Sequence, residues 1–411
     1  MRSTEVNGQS KTEYRRYLDL VMESLPERIR AAGAVVGEQG LLAGRPLHYG
    51  WPADEQEALQ EGRGLVYLGP IGVVVVGGAD RLSWLTTMSS QILTDLAAGD
   101  SKELLLLDAQ GRIRFAAGVV DDGAQTFLLT EPQFAAELVE FLESMKFMLR
   151  VQVKDESSKF VGFASANQEP GVVAENAALV QSLGGLIWED AWPNVQEGGA
   201  AYFQGNHPGT TFKLYVVPLG AADAFIEGFS AGGNASDSVQ LVGLLAANAE
   251  RVAAWRPLPG SEVDERTLPA ELDWLRTAVH LNKGCYSGQE SVARIINLGR
   301  PPRRLTFLQL DGSGELLPEP GAVVELNGRQ VGVLTSVANH FEMGPIGLAL
   351  LKRNLDPAAQ LQVGGVDALQ ELIVPVDGRS DHAPTARPGA GLKRLDPGKR
   401  DIRTRGPGTQ H

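Results

Sequence analysis

The order of hydrophobic and polar residues divides the chain into a part with strands and helices and a part with strands only. In the first part, short apolar runs predict strands, and apolar residues three or four positions apart predict helices. The predicted strands cover residues 73–76, 104–107, 113–120, 126–129, 160–164, 186–189 and 212–217. The predicted helices cover residues 80–93, 133–148, 222–229 and 239–254. This pattern indicates an α+β protein with two lobes of antiparallel strands and covering helices.

A different pattern begins after residue 302, where short strand-like runs follow one another without helices. They cover residues 305–310, 323–326, 330–337, 346–351 and 372–374. The dipeptide Asn327-Gly328 predicts a hairpin turn between two of these runs. Several short strands with turns are typical of a small barrel or sandwich.

Five segments follow from these patterns. Residues 1–45 form an N-terminal extension, in which residues 11–25 predict a short helix. A first α+β lobe covers residues 46–155, a second lobe covers 156–302, a C-terminal β-barrel covers 303–375, and a basic tail covers 376–411. The tail lacks periodicity and is rich in proline, glycine and charge, which predicts disorder.

Composition and charge narrow the classes of function. Hydrophobic residues make up 43% and charged residues 21% of the 411 residues, as in soluble globular proteins. The net charge of −13 argues against a protein built mainly to bind a phosphate backbone, so we expect no nucleic-acid partner. The tail does carry eight lysines and arginines against four aspartates. A nucleic-acid binder that uses this tail stays an alternative, although most such tails are only solvated.

Cysteine and histidine usage limits the chemistry further. The single cysteine, Cys285, excludes a framework of internal disulfide bonds and any CxxC pair for zinc or an iron-sulfur cluster. His48, His207 and His340 show no spacing typical of metal ligands, so no mononuclear metal site is predicted. With one cysteine and no apolar run of membrane-spanning length, we expect a cytoplasmic protein without a membrane partner.

The eight residues KGCYSGQE, which begin at Lys283, surround this cysteine. Ser287 and Glu290 have the spacing of a capping box, which predicts a helix from this point to about Asn297. Cys285 would then lie just before a helix N-terminus, with Lys283 two residues away. The helix N-terminus and the positive charge of Lys283 both favour the thiolate over the thiol, so Cys285 is a candidate reactive thiol.

Glycines lie on both sides of the cysteine, and the cysteine itself has two alternative roles. Gly284 and Gly288 bracket the thiol, and glycine tolerates positive φ and lets another molecule approach the backbone closely. A free cysteine is also often only a small buried hydrophobic residue. A cysteine hydrolase that pairs Cys285 with His280 is another alternative, but nothing in the sequence brings these two residues together.

The same stretch resembles the signature of the folate-binding YgfZ-type proteins. These are relatives of the glycine-cleavage aminomethyltransferase (T-protein) that assist the assembly or repair of iron-sulfur clusters. The resemblance rests on KGCYSGQE followed by Ala293-Arg294, and it continues through residues 251–257, 264–269 and 298–305. Further similarity lies at residues 48–50, 80–85, 145–150 and 328–336. It thus covers residues from about 46 to 375.

This resemblance implies an aminomethyltransferase-like fold of two α+β lobes and a C-terminal β-barrel around a central hole that binds tetrahydrofolate. It also implies that Cys285 serves iron-sulfur cluster chemistry, with client enzymes or cluster carriers as partners, tRNA-modifying enzymes among the clients. A single thiolate supplies one cluster ligand, so a transient cluster would be shared with another molecule.

Site residues follow from the resemblance in the same way. It implies that Arg251, Lys283, Tyr286 and Arg294 contact the folate, with Lys283 and Arg294 at its glutamate tail or at a client surface. The alternatives are an exposed helix charge for Arg251, surface charges for Lys283 and Arg294, and simple packing for Tyr286. The remaining motif residues are Gly284, Gly288, Gln289 and Glu290, and the spacing gives Glu290 the role of capping-box acid.

The sequence departs from the aminomethyltransferases at three places. A pair of aspartates that includes the catalytic one is replaced by Arg114 and Phe115. The pterin-binding glutamate aligns with Lys213, and Ala253 replaces the glutamate that follows the matched Arg251. Since proton transfer at a folate amine needs a carboxylate, we expect an accessory protein without turnover of its own. A folate-dependent aminomethyl transferase or demethylase is the alternative.

Overall fold

The computed structural model describes residues 25–38, 42–231, 239–314 and 317–384. The helix predicted over residues 11–25 lies outside the described residues except for Leu25, and so does the tail from residue 385 onward. The first described elements are a short helix α1 (Glu27–Ala31) and a two-stranded sheet of β1 (Val35–Val36) and β2 (Pro46–His48).

A five-stranded antiparallel sheet forms the first lobe. Its strand order is β5-β6-β7-β4-β8, with β4 (Gly72–Gly77), β5 (Ser101–Leu107), β6 (Ile113–Asp121), β7 (Gln125–Thr130) and β8 (Gln152–Asp155). One face packs against the apolar sides of helices α3 (Arg81–Met88) and α4 (Pro132–Met145). The helix predicted over residues 80–93 ends at Met88, because Ser90 instead bonds to strand β5 through its backbone and hydroxyl.

The second lobe has a five-stranded sheet of order β10-β11-β9-β3-β12. Its strands are β3 (Gly64–Pro70), β9 (Phe160–Ala166), β10 (Leu186–Glu189), β11 (Phe212–Pro218) and β12 (Gln240–Val242). Helices α5 (Pro170–Ser182) and α6 (Ala222–Gly228) pack on one face, and α2 (Pro52–Gln60) and α7 (Leu244–Ala253) pack on the other. The helix predicted over residues 239–254 was wrong at its start, because β12 pairs in parallel with β3 before α7 begins.

The two sheets pack face to face through an apolar layer. Ile71, Val73, Phe127 and Leu129 meet Val216 of the other sheet in this layer. Strand β3 precedes the whole first sheet in sequence but belongs to the second sheet. The sheets therefore do not divide the chain at a single position.

The C-terminal part is a closed six-stranded barrel, one of the two predicted architectures. Its order is β13-β16-β15-β14-β17-β18, with β13 (Arg303–Leu310), β14 (Val323–Leu326), β15 (Arg329–His340), β16 (Gly344–Lys352), β17 (Leu361–Val363) and β18 (Val366–Leu372). Helices α8 (Pro259–Glu262), α9 (Leu275–Ala278) and α10 (Gln289–Leu298) connect it to the second lobe. None of the described helices is long and apolar enough to cross a membrane.

The structure continues into the segment predicted to be disordered. Asp381 exchanges backbone and side-chain hydrogen bonds with Ala201, and Gly378 packs against Gly299 and Pro301. Residues 376–384 are therefore ordered, and the predicted start of disorder at 376 was wrong. These contacts lie far apart in sequence, so local composition could not reveal them.

Candidate folate cavity and cysteine loop

A cavity of about 1270 Å³ lies between the two sheets, the segment that joins α7 to α8, and barrel strand β15. Its volume exceeds the range of about 300–1,000 Å³ in which most small-molecule sites fall. The predicted central hole thus has a counterpart in the structure. All three parts of the fold contribute side chains to its wall.

One wall of the cavity is flat and apolar. Ala116, Ala117 and Gly118 of strand β6 line it, together with Trp188. A Cβ atom added to Gly118 would lie 2.8 Å from the Trp188 indole, whose Nε1 donates to the Lys102 carbonyl at 2.8 Å. Only a residue without a side chain allows the indole to lie against the strand.

The residues that replace the transferase aspartates do not line this wall. Arg114 is exposed, lies 4.6 Å from the centre of the Phe141 ring, and pairs weakly with Glu137 at 3.8 Å. Phe115 is buried in the core of the first lobe. Strand β6 therefore presents small side chains, not carboxylates, to the cavity.

Arg251 is the one predicted folate-contacting residue that lines the cavity. Its guanidinium donates to Glu262 at 3.2 Å, to the Ser336 hydroxyl at 2.7 Å and to Asn248 at 2.8 Å. The Ser336 hydroxyl donates in turn to Glu262 at 2.6 Å. Arg251 is therefore buried and ties helices α7 and α8 to the barrel, and the alternative of an exposed helix charge was wrong.

A second buried arginine, Arg256, joins the two sheets at the cavity wall. It donates to Glu103 at 2.6 Å and to Asp190 at 2.8 Å, and the Thr277 hydroxyl donates to Glu103 at 2.5 Å. Burial raises the pKa of Asp190, although the Arg256 charge opposes this shift. No sequence motif predicted this network. The one local feature in the sequence that could have indicated it is the position of Arg256 between Trp255 and a proline.

Glu131 is a further acidic residue that the sequence analysis missed. It follows strand β7 and lines the cavity. Its Oε2 accepts a hydrogen bond from the Gly260 amide at 2.6 Å. Burial raises the pKa of Glu131, and the charges of Arg45 and Arg251 act in the opposite direction.

Cys285 lies outside the cavity wall, on an exposed loop. Helix α10 begins at Gln289 with Gly288 as its N-cap residue, and no side chain caps it. The predicted capping box of Ser287 and Glu290 was wrong by one residue in register. Gly288 adopts φ +80°, and a Cβ there would lie 2.6 Å from the Asp108 carbonyl oxygen, so packing against a hairpin of the first lobe sets the start of the helix.

Lys283 fixes the other side of this loop. Its Nζ donates to the Thr86 carbonyl at 2.5 Å and to the Ser89 carbonyl at 2.6 Å, at the end of helix α3. It also lies 4.5 Å from the centre of the Tyr286 ring. Burial lowers the pKa of Lys283 to about 8 and raises the pKa of Tyr286 to about 12. Gln289 adds a bond from its side-chain amide to the Lys283 carbonyl at 3.2 Å.

The structure therefore does not bring the predicted site residues together. Lys283, Tyr286 and Arg294 do not line the cavity that Arg251 lines. Arg294 is exposed on helix α10. Gly284 has no positive φ, and a Cβ there would meet open space, so only Gly288 uses the conformational freedom predicted for both glycines.

The histidines offer no base for the thiol in this arrangement. The His280 ring accepts a hydrogen bond from the Asn282 amide at 3.2 Å, and within the described residues it has no hydrogen bond to Cys285. His207 lies among aromatic rings, and burial lowers its pKa to about 3. No group of three or more histidine, cysteine, aspartate or glutamate side chains in the described part of the chain could hold a metal ion.

Comparison with known proteins connects this architecture to two groups of relatives. The model of the CAF17 C-terminal beta-barrel domain matches residues 303–372. The chain is 25% identical to a putative chloroplastic transferase of Arabidopsis thaliana over 342 residues, 78% of this chain and 72% of the relative. It is 26% identical to the tRNA-modifying protein YgfZ of Edwardsiella ictaluri over 302 residues, 70% of this chain and 84% of the relative.

A solved structure shares the fold. The glycine cleavage system aminomethyltransferase T of Bartonella henselae superposes with a TM-score of 0.68 at 20% identity, over 87% of this chain and 98% of the other. The chain thus has the aminomethyltransferase-like fold with a C-terminal β-barrel. The sequence resemblance to YgfZ-type proteins and aminomethyltransferases is confirmed.

Proposed function

We propose that this protein is a tetrahydrofolate-binding accessory protein for enzymes that carry iron-sulfur clusters. In this proposal the cavity binds the folate, and the exposed loop of Cys285 acts on a partner protein. The observation that carries it is the large cavity with Arg251 in its wall, in a fold shared with an aminomethyltransferase. A relative named as a tRNA-modifying protein supports tRNA-modifying enzymes as clients.

The charge of the cavity supports an anionic ligand. Its lining holds seven lysines and arginines against five carboxylates, whereas the whole chain has a net charge of −13. Arg266 is exposed and forms no ion pair with any described residue, and the Lys352 ammonium donates to the Gln330 carbonyl at 2.8 Å. These two cations are available for the carboxylates of a glutamate tail. The proposal therefore assigns the tail to them, because Lys283 and Arg294 lie outside the cavity lining.

The cavity has room for tetrahydrofolate, and the character of its walls suits this ligand. A flat wall of Trp188 and Gly118 suits a fused ring, and the surrounding polar groups suit its amide and carboxylate ends. Tetrahydrofolate supplies a carrier for one-carbon units when bound. The residues of this chain would hold and orient it, with Arg251 kept in place by Glu262 and Ser336.

The thiol has a separate role in this proposal. Cys285 is exposed, and the Lys283 and Gly288 contacts attach its loop to the first lobe. One thiolate provides one ligand to an iron-sulfur cluster, so the other ligands would come from the partner. The cluster is then cargo that passes through a shared complex.

Calorimetric titration of the full chain with tetrahydrofolate, under anaerobic conditions, tests the cavity. We expect micromolar binding that Arg251→Ala weakens at least tenfold, while Arg294→Ala, an exposed arginine outside the cavity, leaves it unchanged. Because Arg251→Ala also breaks the contacts to Glu262 and could unfold the chain, Arg266→Ala provides a second variant with no described ion pair to lose. We expect it to weaken binding severalfold. Absence of binding at millimolar folate would refute the proposed ligand.

The thiol requires its own experiment. In cells that lack the wild-type protein, we expect Cys285→Ser to fail to restore the activity of iron-sulfur client enzymes, whereas Ser287→Ala restores it. Ser287 is an exposed neighbour in the same loop and makes no capping bond, so it controls for changes in the loop itself. Full restoration by Cys285→Ser would refute the role of the thiol.

A further inference from the structure

Glu131 occupies a particular position in the cavity. It follows strand β7 and is the N-cap residue of helix α4, but its side chain makes no capping hydrogen bond. Its carboxylate turns instead to the Gly260 amide, where a Cβ atom would lie 2.8 Å from Oε2. The Gly260 amide therefore fixes the direction of the carboxyl group.

The carboxyl group has no cation of its own. Within the described residues, Glu131 forms no ion pair within 4 Å. Arg251 is bound to Glu262, and Arg45 donates to the Pro70 carbonyl at 3.1 Å. The Gly260 amide and the Gln133 side chain donate hydrogen bonds to this carboxylate, but neither supplies a positive charge. Withdrawing a carboxylate from water without a cation is unfavourable, and such groups in cavities are candidates for ligand contact. The raised pKa of Glu131 agrees with this withdrawal.

The flat apolar wall lies next to this acceptor. The Thr130 hydroxyl donates to the Ala116 carbonyl at 3.2 Å, so Ala116 is adjacent to the residue that precedes Glu131. Gly118 of strand β6 pairs with Leu129 of strand β7, and the Trp188 indole packs against Gly118. A ring placed against this wall would lie close to the end of strand β7, which Glu131 directly follows.

We propose that Glu131 binds the N–H donor edge of the heterocycle held in the cavity. The chemistry that fits is a planar 2-amino-4-oxopyrimidine edge, since two adjacent N–H donors match the two oxygens of a carboxylate. This inference rests on the proposed folate function and adds the orientation of the ring. The ring edge lies at the end of β7, and Glu131 determines the specificity for the ring.

Two ligands and two variants test the assignment. The ligands are tetrahydrofolate and an analogue in which a methyl group replaces the 2-amino group. The variants are Glu131→Gln and, as a control on the same helix segment, Glu137→Gln, which is exposed and outside the cavity lining. Glutamine keeps an oxygen that can accept from the Gly260 amide, so a purely structural role of Glu131 is preserved. Thermal unfolding checks that each variant folds.

We expect the wild type and Glu137→Gln to bind the analogue at least tenfold more weakly than tetrahydrofolate. Glu131→Gln should bind tetrahydrofolate at least tenfold more weakly than the wild type, and should bind both ligands equally. If Glu131→Gln binds tetrahydrofolate as the wild type does, or still discriminates against the analogue, the inference is wrong while the folate proposal stands. If the wild type binds neither ligand, both are wrong.

Discussion

Replacement of Arg256 by alanine should destabilise the protein more than any exposed substitution. Arg256, Glu103 and Asp190 are 7%, 5% and 8% exposed, and three N–H···O bonds of 2.6, 2.8 and 3.2 Å join them. Glu103 lies on the first sheet and Asp190 follows β10, an edge strand of the second sheet, so the network joins the two lobes.

The size of the expected loss in unfolding free energy depends on the hydrogen bonds that Glu103 and Asp190 keep after Arg256 is removed. Glu103 keeps one bond from Thr277 at 2.5 Å, and Asp190 keeps one from the Trp192 amide at 3.0 Å. Neither carboxylate has another cation within 4 Å among the described residues. Removing one partner of a buried ion pair costs about 3–5 kcal/mol, and we expect a loss of unfolding free energy in this range.

Urea unfolding followed by tryptophan fluorescence measures this loss. The rings of Trp192 and Trp274 lie 5.2 and 5.6 Å from the Arg256 guanidinium carbon, so their emission reports on the site. Arg294→Ala is the matched control, and we expect it to change the unfolding free energy by less than about 0.5 kcal/mol because the residue is exposed.

The pH dependence gives a sharper test. Burial already raises the pKa of Asp190 above its unfolded value, and loss of Arg256 removes the charge that opposes this shift. The ionised Asp190 carboxylate then destabilises the folded variant above that raised pKa, and the penalty fades as the carboxylate becomes protonated at lower pH. The loss should therefore be smaller at about pH 5 than at about pH 8. A loss below about 1 kcal/mol, or one independent of pH, would contradict this account of the network.

Two further predictions concern the cysteine loop. Gly288→Ala should cost roughly 1–3 kcal/mol in unfolding free energy, measured in urea, because φ is +80° and the new Cβ would meet Asp108. Gly284→Ala, which meets open space, should cost less than about 0.5 kcal/mol; equal costs would contradict the packing argument. Lys283→Met should speed amide hydrogen exchange of the loop with little change in the thermal midpoint, because it loses the bonds to the Thr86 and Ser89 carbonyls. Burial lowers the pKa of Lys283 to about 8 in the anchored loop, whereas in an opened loop the solvated ammonium keeps its higher ordinary pKa. Rising pH therefore favours the anchored loop, so wild-type protection relative to the variant should increase as pH rises above about 8; relative protection that falls over this range would contradict the anchor.

Local pattern was sufficient for most elements of the fold. The apolar runs gave β4, β7, β10 and β11 nearly at their observed bounds, because each is a short run rich in apolar or β-branched residues. Strand β12 was lost in a predicted helix, since Gln240–Val242 becomes a strand only by pairing with Gly64–Val66. That pairing depends on residues distant in sequence, which local periodicity does not contain.

The candidate site shows the same division. The sequence by itself determined that Cys285 is the only cysteine and predicted that a helix follows it, and the family resemblance implied that Arg251 contacts a folate. Only the tertiary structure decided that Arg251 lines a cavity and that Cys285 lies outside it. The start of the helix after the cysteine depended on contact with a hairpin of the other lobe. The Arg256 network and Glu131 are set by partners from other strands, because the hydrogen bonds and burial of a charged side chain come from whatever the fold places beside it.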